Sequence, residues 1–74
     1  MFEKIKEILC ENFDIDADII EPTSVLKIDL GLDSLDVTEF IMCLEEEFDV
    51  LLDNEDFNTV RTPEDAVRAV EKLL

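Results

Sequence analysis

Ser34 stands in the stretch Gly31-Leu32-Asp33-Ser34-Leu35-Asp36, with carboxylates close on both sides and the chain's only glycine three residues ahead. A serine hydroxyl becomes a nucleophile only with a base to take its proton. The chain has no histidine, which removes Ser-His-Asp and Cys-His catalysis, and the stretch is not Gly-x-Ser-x-Gly. Two roles remain for this hydroxyl. It can cap a helix, or it can carry a phosphate ester, because the free N–H groups at a helix start suit an anion. The two cysteines, Cys10 and Cys43, make neither a disulfide framework nor a zinc motif, and Cys10 reads as core filler. Asp14, Asp16 and Asp18 open like a calcium-binding loop. The match fails at Ile19, where the turn needs glycine, and at Val25, where it needs a bidentate glutamate. No metal site is expected, and no catalytic residue.

The elements that would position Ser34 are helical. Phe2, Ile5, Ile8 and Leu9, with Asn12 or Phe13, recur at i, i+3, i+4 spacing and predict an amphipathic helix over 2–13. Residues 14 to 33 read as a long loop, with a turn at Glu21-Pro22-Thr23-Ser24. Val25, Leu26, Ile28, Leu30 and Leu32 should pack this loop against the helices, and a loop of this length in so small a chain is usually functional. Gly31 predicts a backbone conformation or a close approach that other residues resist. Residues 34 to 49 give the clearest helix. Asp33 or Ser34 caps it, Asp36 charges its first turn, and Val37, Phe40, Ile41, Leu44 and Phe48 make its core stripe. Residues 50 to 61 predict a short helix holding Phe57 and Val60. A last helix spans 63–73, with Thr62 as N-cap, Pro63 at its first position, and Ala66, Val67, Val70, Leu73 and Leu74 on its apolar face. The expected fold is all-α: one domain over 1–74, a small four-helix bundle of three longer helices and one short, with a long loop between helices 1 and 2.

A second line runs along the 34–49 helix. Leu35, Glu39, Met42 and Glu46 step by four, three and four on a side the core does not need. The line reads either as a solvated face or as a docking face, in which Leu and Met fill a partner's pockets while the carboxylates meet Lys or Arg. Its start beside Ser34 favours docking, and charge indicates the kind of partner. Twenty-one acidic residues against six basic ones give a net charge of −15, and no base occurs from Asp29 to Asp56. Nucleic acid and anionic membrane need positive patches and are not expected as partners; basic protein surfaces are. With no apolar signal segment and no span of membrane length, a cytoplasmic monomer with reduced thiols is expected.

Gly31-Leu32-Asp33-Ser34-Leu35-Asp36, then Glu39-Phe40-Ile41-Met42, then Leu44-Glu45-Glu46-Glu47-Phe48-Asp49-Val50 closely resemble the acyl carrier proteins of fatty-acid and polyketide synthesis. The resemblance covers nearly the whole chain and is most specific from Asp29 to Val50. It implies that Ser34 carries 4′-phosphopantetheine, installed from coenzyme A by a separate phosphopantetheinyl transferase, with Asp33 beside the phosphate and able to help hold the transferase's magnesium. It further implies that Leu35, Glu39, Met42, Glu45 and Glu46 meet partner enzymes, and that the chain holds acyl groups as thioesters without doing chemistry itself. In the family the acyl chain can slip between the helices. Leu51, Leu52 and Asp53 depart from the family's usual glutamate, apolar, proline; Phe57 replaces a small residue and Ile28 an acid. A specialised carrier of polyketide or D-alanyl type therefore stays open, as does an acidic helical adaptor in which Ser34 is only a cap.

Overall fold

The structure, a computed structural model, describes residues 1–74 and is built from four α-helices with no strand. Helix α1 spans Phe2–Phe13, α2 Ser34–Phe48, α3 Asn54–Thr59 and α4 Pro63–Glu71. The spacing that predicts α1 also describes its packing. Ile5, Ile8 and Leu9 are buried, and Phe13 meets Phe40 of α2 edge-on, with ring centroids 6.5 Å apart. Helices α1, α2 and α4 pack on one another around a single core of 17 buried apolar side chains, in which Phe40, Ile41 and Leu44 of α2 are fully enclosed. Burying side chains of this size is worth roughly 1.5–3 kcal/mol each. Enclosure of Phe40, Ile41 and Leu44, with Phe48 at the end of the stripe only half-buried, therefore fixes which way the other faces of α2 point.

The 20-residue connection from Asp14 to Asp33 is ordered, as its apolar content requires. Ile15, Ile20, Leu26, Leu30 and Leu32 join the core, while Ile28 stays 80% exposed. The acidic alternation at its start shapes backbone. Asp14 ends α1 with φ 55°, and Asp16 accepts the Asp18 amide at 3.0 Å to cap a single 3-10 turn over Ala17–Ile19. Two backbone bonds tie the connection to the approach and first turn of α4: Leu26 N–H to the Arg61 carbonyl at 2.8 Å, and Glu64 N–H to the Pro22 carbonyl at 3.0 Å. Gly31 adopts φ +73°, and no atom lies within 4 Å of where a Cβ would stand. Conformation, and not close approach, is what demands the glycine.

Helix α4 departs from expectation at its end. It stops at Glu71, and Leu73 and Leu74 are exposed. The last turn tightens, with Leu73 N–H bonding the Val70 carbonyl, so the stripe closes on Ala66, Ala69 and Val70 instead. Lys72 turns to Asp56 of α3, with Nζ to Oδ1 at 2.7 Å. Asp56 is 4% exposed. The Lys72 ammonium holds its carboxyl below the ordinary range, against the opposing effect of burial, and the Asp53 amide adds to that depression.

Candidate functional site

Ser34 owes its position to the cap beneath it. Asp33 is the N-cap of α2. Its Oδ1 accepts the Asp36 amide at 2.9 Å while Asp36 Oδ2 accepts the Asp33 amide at 3.2 Å, closing a reciprocal capping box. Of the two candidates for the cap, Asp33 takes the role and Ser34 becomes the first helical residue. The Ser34 and Leu35 amides have no acceptor inside the helix. The Ser34 side chain is exposed. Its Oγ accepts one hydrogen bond, from Lys27 Nζ at 3.3 Å. Thr38 Oγ1 donates to the Ser34 carbonyl at 3.0 Å and steadies the first turn.

Beside Ser34 opens a cleft of about 480 Å³. The connection supplies one wall with Leu26, Lys27 and Ile28, α2 supplies Val37 and Thr38, and the α3 side supplies Phe57, Val60 and Arg61. Ile28 and Phe57, two of the unusual residues in the sequence, thus both lie on this cleft. Of the others, Leu52 is in the core, Leu51 is 84% exposed, and Asp53 caps α3.

The second line on α2 is solvent-facing. Leu35 and Met42 are 74% and 51% exposed, and Glu39 and Glu46 are exposed with them. The Cys43 thiol on this helix is pushed above its ordinary pKa, first by burial and then by the negative charges of Glu46 and Glu39. Glu45 is arranged differently. It is half-buried, and its Oε2 accepts the Leu52 amide at 2.8 Å, so it secures the α2–α3 connection. The structure also brings forward two residues that the sequence reasoning passed over, Lys27 and Arg61. Lys27 is the only base between Lys6 and Arg61, and that isolation seven residues before the serine was the available signal.

Comparison with known proteins agrees with this architecture. The family described as "Phosphopantetheine attachment site" matches residues 3–70. The chain belongs to the acyl carrier protein family. It is 43% identical over 70 residues to an acyl carrier protein of Solidesulfovibrio magneticus, covering 95% of this chain and 90% of that one. It is 38% identical over 73 residues to one of Campylobacter lari, covering 99% and 95%. A solved acyl carrier protein structure from Enterococcus faecalis superposes with a TM-score of 0.81 at 33% identity, covering 99% of this chain and 92% of that one. The cofactor of this family is 4′-phosphopantetheine. No helix is long and apolar enough to cross a membrane.

Proposed function

We propose that Ser34 is where this chain carries 4′-phosphopantetheine, and that it holds acyl groups as thioesters for fatty-acid or related biosynthetic enzymes. The observation that carries the assignment is a contrast between two hydroxyls. The chain has two serines. Ser24 is buried, and its Oγ both accepts from the Glu21 amide at 2.9 Å and donates to the Ile19 carbonyl at 3.2 Å. Ser34 is exposed at the start of a 15-residue helix, with free amides, a lysine and an open cleft around it. A bulky, mobile, anionic substituent fits the second setting and would break the first.

In loading, a separate transferase removes the Ser34 hydroxyl proton. Oγ then bonds to the pantetheine-bearing phosphorus of coenzyme A, the pyrophosphate bond breaks, and adenosine 3′,5′-bisphosphate leaves. Asp33 is exposed and has one carboxylate oxygen in its capping bond, which leaves the other for the transferase's metal ion. The group, once bound, supplies a thiol on a long flexible arm. The chain's own part is to anchor that arm and to be recognised. Leu35, Glu39, Met42 and Glu46 form the docking face for basic partner surfaces, the acids speeding encounter and the apolar pair filling pockets. Glu45, tied to the Leu52 amide, supports this face from behind. Acid–base groups for catalysis are not needed, and the chain acts as a monomeric carrier. The test is intact mass after incubation with a phosphopantetheinyl transferase, coenzyme A and Mg²⁺. The wild type should gain one phosphopantetheine and Ser34→Ala none; equal gain by both would refute the assignment.

A further inference from the structure

The six basic side chains of this acidic chain are not used alike. Lys4 pairs with Glu47 at 3.0 Å, Arg68 with Glu64 and Asp65 at 2.9 and 3.0 Å, and Lys72 with Asp56 at 2.7 Å. Lys6 lies over the Phe2 ring. The remaining two, Lys27 and Arg61, make no ion pair, and both line the cleft beside Ser34. The acids closest to Lys27 along the chain and around the serine hold backbone amides instead: Asp29 that of Val25 at 2.7 Å, Asp33 that of Asp36, and Asp36 that of Asp33. In a chain of 21 acids, an ammonium group without a carboxylate, directed at a serine oxygen, lacks only an anion that arrives later. A phosphodiester on Ser34 puts two oxygens that share one negative charge two covalent bonds beyond Oγ, within reach of Nζ.

We propose that Lys27 is a positioning residue for the phosphopantetheine arm. Its ammonium holds the phosphodiester on Ser34 and, with Arg61 as the second cation on the cleft, draws the root of the arm over the cleft and away from the acidic outer face of α2. This rests on Ser34 being the attachment residue. Without the lysine, only Arg61 opposes the repulsion of the phosphodiester by Asp33 and Asp36, and the group turns out to solvent.

The experiment loads wild type, Lys27→Gln, Lys27→Arg and Lys6→Gln with phosphopantetheine, checks each by intact mass, and records ³¹P and amide NMR spectra. The expected ³¹P signal of Lys27→Gln is displaced from wild type toward that of a free phosphodiester and is narrower. Lys27→Arg stays near wild type. Lys6→Gln, which removes the same charge from a residue that does not line the cleft, does not move. Added salt carries the wild-type signal toward the Lys27→Gln position. Loading perturbs the amides of Val25 to Ile28 and Phe57 to Arg61 in wild type and much less in Lys27→Gln. Coincident ³¹P signals for wild type and Lys27→Gln at low and high salt overturn the proposal. So does a folded Lys27→Gln that the transferase cannot load, which would put the lysine's work in that encounter instead. Failure of the wild type itself to load defeats the Ser34 assignment and is a separate result.

Discussion

Asp33-Ser34-Leu35-Asp36 and Asp53-Asn54-Glu55-Asp56 start two helices in almost the same way, and the chain surrounds them differently. In each, the first aspartate accepts the amide three residues on at 2.9 Å and the second returns the bond at 3.2 Å. At α3 the second aspartate is buried and pinned by Lys72. At α2 both aspartates keep contact with solvent, and the nearby lysine is directed not at a carboxylate but at the hydroxyl between them. The capping chemistry belongs to four consecutive residues. What the cap is for depends on a cation brought from elsewhere in the chain. One lysine closes its site and makes a structural clasp; the other leaves its site open, with a cleft alongside.

The largest effect should come from removing the buried member. Asp56→Ala loses a cap bond and the buried end of the Lys72 contact, leaving the ammonium in solvent, at an expected cost of about 2–3 kcal/mol in chemical denaturation. Asp33→Ala loses only an exposed cap, about 1 kcal/mol, but slows loading by the transferase, which Asp56→Ala does not do under folding conditions. Equal stability losses would erase the distinction between the two starts.

How far the sequence reveals this contrast depends on the distance over which each signal acts. Helix α2 was legible because Val37, Phe40, Ile41 and Leu44 repeat over about two turns and the caps lie within three residues of each other. The turn at Ala17–Ile19 is too short to have a period. The end of α4 was misjudged because Leu73 continues the apolar spacing, whereas the backbone tightens after Val70 and Lys72 turns toward α3. Ser34 stood out through its neighbours. Lys27 did not, because its approach to Ser34 depends on the fold of the connection, and no spacing rule describes an ordered loop. Glu45 looked like part of the outer face of α2 by position alone; its bond to Leu52 comes from the following segment.

The outer face of α2 sharpens the comparison from the side of recognition. Leu35→Ala and Met42→Ala should each leave stability within about 0.5 kcal/mol, while weakening Kd for a partner enzyme about tenfold, on the order of 1.4 kcal/mol. A loss of stability with binding unchanged would make this a packing face and not a docking one.

The smallest effect concerns pH. The Asp56 carboxyl is depressed below its ordinary value near 3.8 when folded. Its contribution is therefore complete above that value and is lost as pH falls through the lower, folded one. The melting temperatures of wild type and Asp56→Asn should stand apart at pH 7 and converge below about pH 4. A gap for Asp56→Asn that persists undiminished at pH 2 would mean that its carboxylate charge is not what stabilises α3.

The most direct measurement is fragmentation mass spectrometry of the chain isolated from its own cells, locating any phosphopantetheine to a single side chain. The expected result is the whole of the added mass on Ser34, with Ser24 and the threonines bare. Added mass on any other residue, or none on a chain shown to have met coenzyme A and a competent transferase, would contradict the role given to Ser34.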